Sequence, residues 1–493
     1  MKTLNLVATG LVSFLIMPFV IHALGDKMYG IWSLVAAFLG YYNLIEFGLS
    51  TAVGRFIAQG LGAGDEEKCN RFFNTALAMF SIMAVLVFLA SIVVAAVTPL
   101  IVKNRADAAI FWKATLILGA ALAAGFPLRV FKGVLEAHLR FDRTAGLDLL
   151  TLGLRTLLVI GSVLLGYKVL GLAWATLVSG IPALVLYPYF LKRDMPFMRI
   201  ARAYWHKGSA RELFSFGFYS FIAHLGGILR SQIGPFIVAP FLGLAAVTHF
   251  KIASVLADYY SEMVGAIIGV FQPVFARQEG AKDFEGLKRT LFFASKVSVG
   301  LAALILFGLV ALGRPFIARW MGASYQDAYP CMVLLVVGYS FAVAQRPGVY
   351  VLYALARHGF LGVLVCIEGV SNVVISILCV KRYGLTGVAM GVLIPLAFTK
   401  LVIQPIYVCR VSSIPYFEYF RVIVSAIGKI ALALIVPAII VMKFAAPNYK
   451  ILFILGSLSV ILYVLPVGLT AFNRDENQLF LRTFLPRWAG RNN

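Results

Sequence analysis

The chain has 493 residues, 61% hydrophobic and only 13% charged, with a mean hydropathy of +0.91. A soluble domain carries about a quarter charged residues, so this composition excludes a water-soluble protein and points to a chain that crosses a bilayer many times. The net charge of +22 lies mostly in short loops between apolar runs, which is a pattern of membrane topology and argues against nucleic acid as a partner.

In chain order, the first apolar run, at 4–24, is long enough to span a bilayer at about 1.5 Å per residue. It lacks a clean small-x-small cleavage site and leads at once into a second run, so it reads as a retained helix and not as a signal peptide. About fourteen spans are expected, at 4–24, 29–52, 72–100, 110–135, 145–166, 169–191, 212–236, 244–273, 290–312, 331–354, 361–380, 385–409, 421–443 and 451–472. The loops are short and leave no room for a sizeable soluble domain. The expected fold is an all-α polytopic membrane protein. It comprises a six-helix lobe at 1–191, a basic cytoplasmic linker at 192–211, a second six-helix lobe at 212–410, two further helices within 411–472 and a cytoplasmic tail at 473–493.

Loop charge sets the orientation. With the N-terminus inside, the cytoplasmic segments and span ends hold roughly 24 of the 43 Lys+Arg and the opposite side roughly 11, which makes both termini cytoplasmic. The linker at 192–211 carries six of them. It reads as a tether between two halves, with anionic lipid as an alternative partner. The five cysteines, Cys69, Cys331, Cys366, Cys379 and Cys409, are scattered without a CxxC pair, and suggest neither a disulfide framework nor a metal site.

The stretch at 25–59 has a weaker copy later in the chain. At a shift of 218 residues Leu24-Gly25 falls on Leu242-Gly243, Tyr41-Tyr42 on Tyr259-Tyr260 and Ala58 on Ala276. At a shift of 216, Tyr167-x3-Gly171-Leu-Ala173 falls on Tyr383-x3-Gly387-Val-Ala389. Two separate matches at nearly one offset point to two related halves of the same orientation, an arrangement from which many transporters build a central cavity. The paired tyrosines suit a structural role in both halves, with sugar stacking as the alternative for them and for Trp32.

Several short motifs occur in order along the chain: Tyr29-Gly30-x-Trp32, Glu46-Phe47-Gly48-Leu49 followed by Arg55, Gly133-x-Leu135-x5-Phe141, Leu154-Arg155, Ala354-x-Ala356-Arg357-x-Gly359, Asn372 and Gly384-x2-Gly387-x-Ala389. In this order the sequence resembles the polysaccharide transport family, the Wzx-type oligosaccharide flippases, of the multidrug/oligosaccharidyl-lipid/polysaccharide flippase superfamily. The resemblance implies fourteen helices in two lobes, a bacterial inner-membrane location and the flipping of an undecaprenyl-diphosphate-linked sugar. A polyprenyl-diphosphate-linked oligosaccharide would then be the partner, with the lipid bilayer and the polysaccharide polymerase machinery beside it.

Ionisable residues inside spans are costly and usually face a cavity or a partner. Arg155, Arg230, Arg346 and Lys400 lie deep, and Lys251 and Lys429 are shallower. Read functionally, Arg155, Arg230, Arg346, Lys400 and Lys251 form a cationic cavity for a diphosphate, which the planar guanidinium grips through paired N–H donors. The alternative is internal pairing, Arg155 with Asp148 and Lys251 with Asp258. Arg129 and Lys132 lie near a span end and can snorkel. Glu368 is a further intramembrane acid. Asp258 and Glu262 share one helix face, where two close carboxylates hold a proton between them, a candidate H+ or Na+ coupling site; neutralisation of nearby cations is the alternative. Glu46 and Arg55 are candidates for a cytoplasmic gate, or for plain packing of Glu46 against Arg55. A kink is expected at Gln345-Arg346-Pro347-Gly348.

No catalytic or metal-binding signature is present, neither HExxH nor a P-loop. The expectation is a non-enzyme without cofactor, with an H+ or Na+ gradient as a possible energy source. Two other readings stand beside the flippase. One is a multidrug exporter of the same superfamily, which the acid-free first span disfavours. The other is a membrane polysaccharide polymerase or ligase, which the short outer loops disfavour.

Overall fold

In a bilayer each backbone N–H and C=O must be satisfied within the chain, so long apolar runs become helices. The computed structural model describes residues 2–42, 46, 49–101, 104–355, 357, 359–444 and 448–470. Phe47, Gly48, Ala356 and the tail at 473–493 lie outside the described residues. The described residues form α1 (Lys2–Leu24), α2 (Asp26–Tyr42), α3 (Leu49–Ala63), α4 (Glu66–Ile101), α5 (Arg105–Ala137), α6 (Phe141–Leu164), α7 (Lys168–Ser179), α8 (Ile181–Asp194), α9 (Lys207–Ser231), α10 (Gly234–Leu242), α11 (Leu244–Ile268), α12 (Gln272–Gly280), α13 (Phe284–Trp320), α14 (Ala328–Ala344), α15 (Arg346–Ala354), α16 (Gly359–Phe398), α17 (Gln404–Val411), α18 (Tyr416–Lys443) and α19 (Tyr449–Thr470). This is an all-helical polytopic membrane fold, with no strand among the described residues.

Among those residues nine helical runs are long and apolar enough to cross a membrane, and Ala8–Leu24 and Tyr449–Val464 are shorter apolar helices. One of the nine, Gly359–Val411, has 53 residues and would be about 80 Å long as a straight helix, far more than one crossing needs. It is broken at Gly384 (φ 58°, ψ −134°), where α16 turns back on itself. The expected span at 29–52 holds α2 and the start of α3, with residues 43–45, 47 and 48 between them outside the described residues. The one at 169–191 breaks at Gly180, between α7 and α8, with a proline in the first turn of α8.

The offset of 218 recurs in the turns. Gly25 and Gly243 both have positive φ (77° and 91°), as do Gly166 and Gly384 (77° and 58°). Gly64 and Lys282, again 218 apart, are both left-handed (66° and 54°). The turns around that last pair share their hydrogen bonds. Asp65 N–H donates to Gly60 O (3.0 Å) and Asp283 N–H to Gln278 O (2.9 Å). Each aspartate then accepts from the N–H three residues on, Lys68 and Gly286, both at 2.8 Å, and so caps the next helix. The paired tyrosines match in burial too: Tyr42 and Tyr260 are buried, each in its own half, and their neighbours Tyr41 and Tyr259 only partly so.

By compactness the chain divides into two units, Met1–Lys251 and Ile252–Asn493. The first has an aromatic core around Phe73, Phe80, Phe126 and Phe131. There α4 and α5 pack so closely that a Cβ on Gly119 would lie 2.2 Å from Ser91 Oγ. The linker after α8 is strapped to α4. Asn70 donates to Phe197 O (3.1 Å) and accepts from Arg199 N–H (2.8 Å). Asn74, one turn on, donates to Arg199 O (2.8 Å) and accepts from Ala201 N–H (2.9 Å). Thr75 Oγ1 accepts from His206 N–H (3.1 Å). These side chains supply partners to a backbone that has neither helix nor sheet to satisfy it.

In the second unit the expected kink is present. Pro347 has no N–H to offer Val343 O, the helix breaks between α14 and α15, and Ser298 Oγ on α13 donates to that carbonyl instead (2.7 Å).

Candidate functional site

The most elaborate polar site inside a span belongs to the second unit. Glu368 precedes the Gly384 turn by sixteen residues and Lys400 follows it by sixteen, so folding the hairpin brings them together. Lys400 Nζ lies 2.8 Å from Glu368 Oε1, with the two side chains 7% and 0% exposed. Thr399 Oγ1 donates to the same carboxylate oxygen (2.6 Å). Lys400 also donates to Gln404 Oε1 (2.9 Å), and Gln404 Nε2 donates to Gln345 O at the kink (3.0 Å). Tyr419 of α18 contacts Gln345 Oε1 (3.4 Å) and Ser295 Oγ (3.4 Å). Residues 399–403 widen into a single π-turn, a distortion found often at functional sites. Nearer the Gly384 turn, Ser376 Oγ donates to Asn372 Oδ1 (3.0 Å) and Val388 O (3.1 Å), tying the hairpin arms together.

Arg346, the first residue of α15, is held differently. Its Nη2 donates to Ser261 Oγ on α11 (3.0 Å). Gly265, one turn further along α11, leaves the notch for the guanidinium, where a Cβ would lie 1.5 Å from Nη1. Asp258 precedes Ser261 by three residues and so shares this face of α11. Asp258 is half-buried and Glu262 exposed.

Arg155 is exposed midway along α6 and has no ion pair or hydrogen bond among the described residues. Its alternative partner Asp148 is bound by Lys132 Nζ at 2.8 Å. Asp148 and Thr151, lower on the same stripe of α6, line a cavity of about 310 Å³ together with Thr176, Tyr187 and small residues of α5. Arg230 ends α9 half-buried, and Lys251 is half-buried in α11.

Glu46 pairs with Arg129 of α5, not with Arg55, and also accepts from Ser50 N–H (3.3 Å). Arg129 lies over the Phe126 ring, 4.5 Å from its centre, so the residue expected to snorkel is engaged within the protein. Arg55 is exposed on α3. At the start of α2, a Cβ on Gly30 would lie 1.8 Å from Leu244 O, which explains the glycine of that motif as a close helix crossing. Lys27 pairs with the buried Asp107 (2.7 Å), and Thr248 Oγ1 donates to Asp26 O (2.6 Å). Sequence reasoning missed the Glu368–Lys400 pair. Equal spacing of opposite charges about the glycine turn was the signal that could have found it.

Comparison with known proteins gives a consistent setting. The chain is 23% identical over 489 residues to "Uncharacterized membrane protein EpsK" of Bacillus subtilis (strain 168), covering 95% of this chain and 93% of that protein. It is 23% identical over 409 residues to a Shigella flexneri protein named "Putative O-antigen transporter", covering 79% and 92%. Its fold matches that of lipid II flippase MurJ in an inward closed conformation (TM-score 0.69, 12% identity, 98% and 99% covered). It also matches an inward-facing multidrug resistance MATE family transporter of the MOP superfamily (TM-score 0.74, 16% identity, 82% and 96% covered). Residues 22–330 match the family model described as polysaccharide biosynthesis protein, and the chain belongs to that family.

Proposed function

We propose that the protein is a flippase that carries a polyprenyl-diphosphate-linked oligosaccharide across the bacterial inner membrane by alternating access, with about fourteen crossings and both termini cytoplasmic. Family membership, the O-antigen transporter relative and the MurJ-like fold support a flippase of this superfamily. The observation that carries the diphosphate reading is the state of the intramembrane arginines. Arg155 has no carboxylate partner among the described residues, and Arg346 is bound there by a serine hydroxyl alone. A guanidinium placed in a span without an acid retains charge and N–H donors for a diphosphate, and the diphosphate offsets its cost of burial. Lys400 is already neutralised by Glu368, so within the set Arg155 and Arg346 are the principal contacts, with Arg230 and Lys251 secondary. Asp258 and Glu262, on or beside the face that seats Arg346, are the proposed H+ or Na+ coupling groups. Glu46 and Arg55 belong to the cytoplasmic gate, which Arg129 completes.

Cells lacking the protein are expected to accumulate the lipid-linked unit on the cytoplasmic leaflet. Its arrival, unpolymerised, on the outer leaflet would instead favour a polymerase. Arg155→Ala and Arg346→Ala are each expected to cut export about tenfold or more at unchanged abundance, the loss of one charge-assisted phosphate contact. Normal export in both variants would refute the arginine assignment.

A further inference from the structure

The segment between α8 and α9 carries a run of exposed cations that the proposed transport path does not use: Lys192, Arg193, Arg199, Arg202 and Lys207. None of them has an ion pair or a side-chain hydrogen bond among the described residues. The acid of this stretch, Asp194, has a side chain 6% exposed and lies 3.5 Å from Arg140 and 3.6 Å from Arg143, so its charge is met by other cations. The backbone that presents the run is fixed. Met195 and Met198 enter the core of the first unit, and Asn70, Asn74 and Thr75 of α4 hold the backbone at 197, 199, 201 and 206. With its inner side so anchored, this strap exposes Arg199, Arg202 and Lys207 together with Ile200 (66%) and Trp205 (51%).

The level of the strap follows from the helices beside it. The exposed apolar side chains of α4 begin at Ile82 and reach Val97, about 22 Å of surface suited to hydrocarbon. Thr75, which accepts from His206 N–H, precedes Ile82 by seven residues, or about 10 Å. On α8 the exposed apolar positions end at Tyr189, and Lys192 follows within about 5 Å. On α9 Phe214 is exposed again, about 10 Å beyond Lys207. All three helices therefore put the strap just outside the apolar band, where the headgroups of a bilayer lie. Tryptophan and the long stems of Lys and Arg suit that level. Cations without carboxylate partners, held there by a fixed backbone, meet an anionic headgroup without the cost of ordering a loop.

We infer that the strap is a docking surface for anionic phospholipid of the bilayer, a role beyond that of a tether. Its cations take the headgroup phosphates, and Ile200 and Trp205 seat at the edge of the acyl region. The inference rests on the membrane fold and not on the transport reading, and it stands even if Arg155 and Arg346 prove dispensable for export.

The test uses the full chain in nanodiscs of phosphatidylcholine doped with phosphatidylglycerol, and native mass spectrometry of the lipid retained after transfer to detergent. The wild type is expected to retain phosphatidylglycerol in preference to phosphatidylcholine. The variant R199Q/R202Q should lower that preference about tenfold or more, at roughly fivefold per cation, while the charge-preserving R199K/R202K keeps it. The control K168Q/R382Q removes two exposed cations elsewhere and should also keep it. If R199Q/R202Q fails to fold, R199Q and R202Q carry the same comparison singly. No preference in the wild type, as expected of a surface made for an acidic protein, overturns the inference, and so does equal loss in the strap and control variants.

Discussion

The two halves related by the 218-residue offset agree in their turns and differ in their intramembrane charges. Left-handed residues recur at 25 and 243, 64 and 282, and 166 and 384, with matching aspartate caps at 65 and 283. The charged positions do not recur. Glu368 and Lys400 correspond to Leu150 and Pro182, Arg346 to Leu128, Arg155 to Val373 and Glu46 to Val264. Turn geometry is a backbone requirement that each half must meet to reverse its helices. A charge in a span is a local expense that persists only where a partner or ligand offsets it. The repeated frame therefore carries chemistry that differs between the halves.

The largest expected effect tests the unrepeated chemistry. Lys400→Met leaves the buried Glu368 without its cation and should destabilise the protein by about 3–5 kcal/mol. The double variant Lys400→Met/Glu368→Leu should recover most of the loss. Chemical denaturation in detergent measures both, and a single variant as stable as wild type would mean that the pair contributes nothing.

Next come the repeated turns. Gly25→Ala and Gly243→Ala should each cost about 1–3 kcal/mol, because both force a side chain onto positive φ. Similar shifts in melting temperature would sharpen the likeness of the halves, and an effect at only one site would break it. A smaller effect of the opposite sign is expected at Lys282, the non-glycine partner of Gly64. Lys282→Gly relieves a left-handed lysine and should stabilise by up to about 1 kcal/mol.

The smallest effect lies at the turn between α5 and α6. Arg140 donates to Asp142 from Nε and Nη2, both at 3.0 Å. This hydrogen bond holds the Asp142 carboxyl below its usual pKa. A depressed carboxyl contributes fully above its unfolded pKa and loses the contribution as pH falls through the lower folded value. The wild type should therefore lose slightly more stability than Asp142→Asn over that acid range, and parallel pH profiles of the two would remove the bond from consideration.

Much of the fold was legible because hydropathy reports length and apolarity directly. Among the described residues the expected spans fall mainly on helix, and the Pro347 kink follows from a missing N–H. The turn at Gly180 was not legible, since a single turn residue barely alters the apolar average of a window. In the candidate sites, the sequence shows that Glu368 and Lys400 are intramembrane charges but says nothing of their distance until the Gly384 turn is recognised. The alternative of Glu46 packing against Arg55 follows from their closeness in sequence, whereas the ion-pair partner of Glu46, Arg129, comes from another helix.

The asparagine strap bears on the order of assembly during synthesis. Its hydrogen bonds join residues 125 to 131 positions apart, from α4 to the segment after α8. None can form until that segment has left the ribosome, and by then α1 to α8 have already been made. The strap can therefore close only on a first half that is already complete, and cannot hold α4 in place while the helices between it and that segment are still being made.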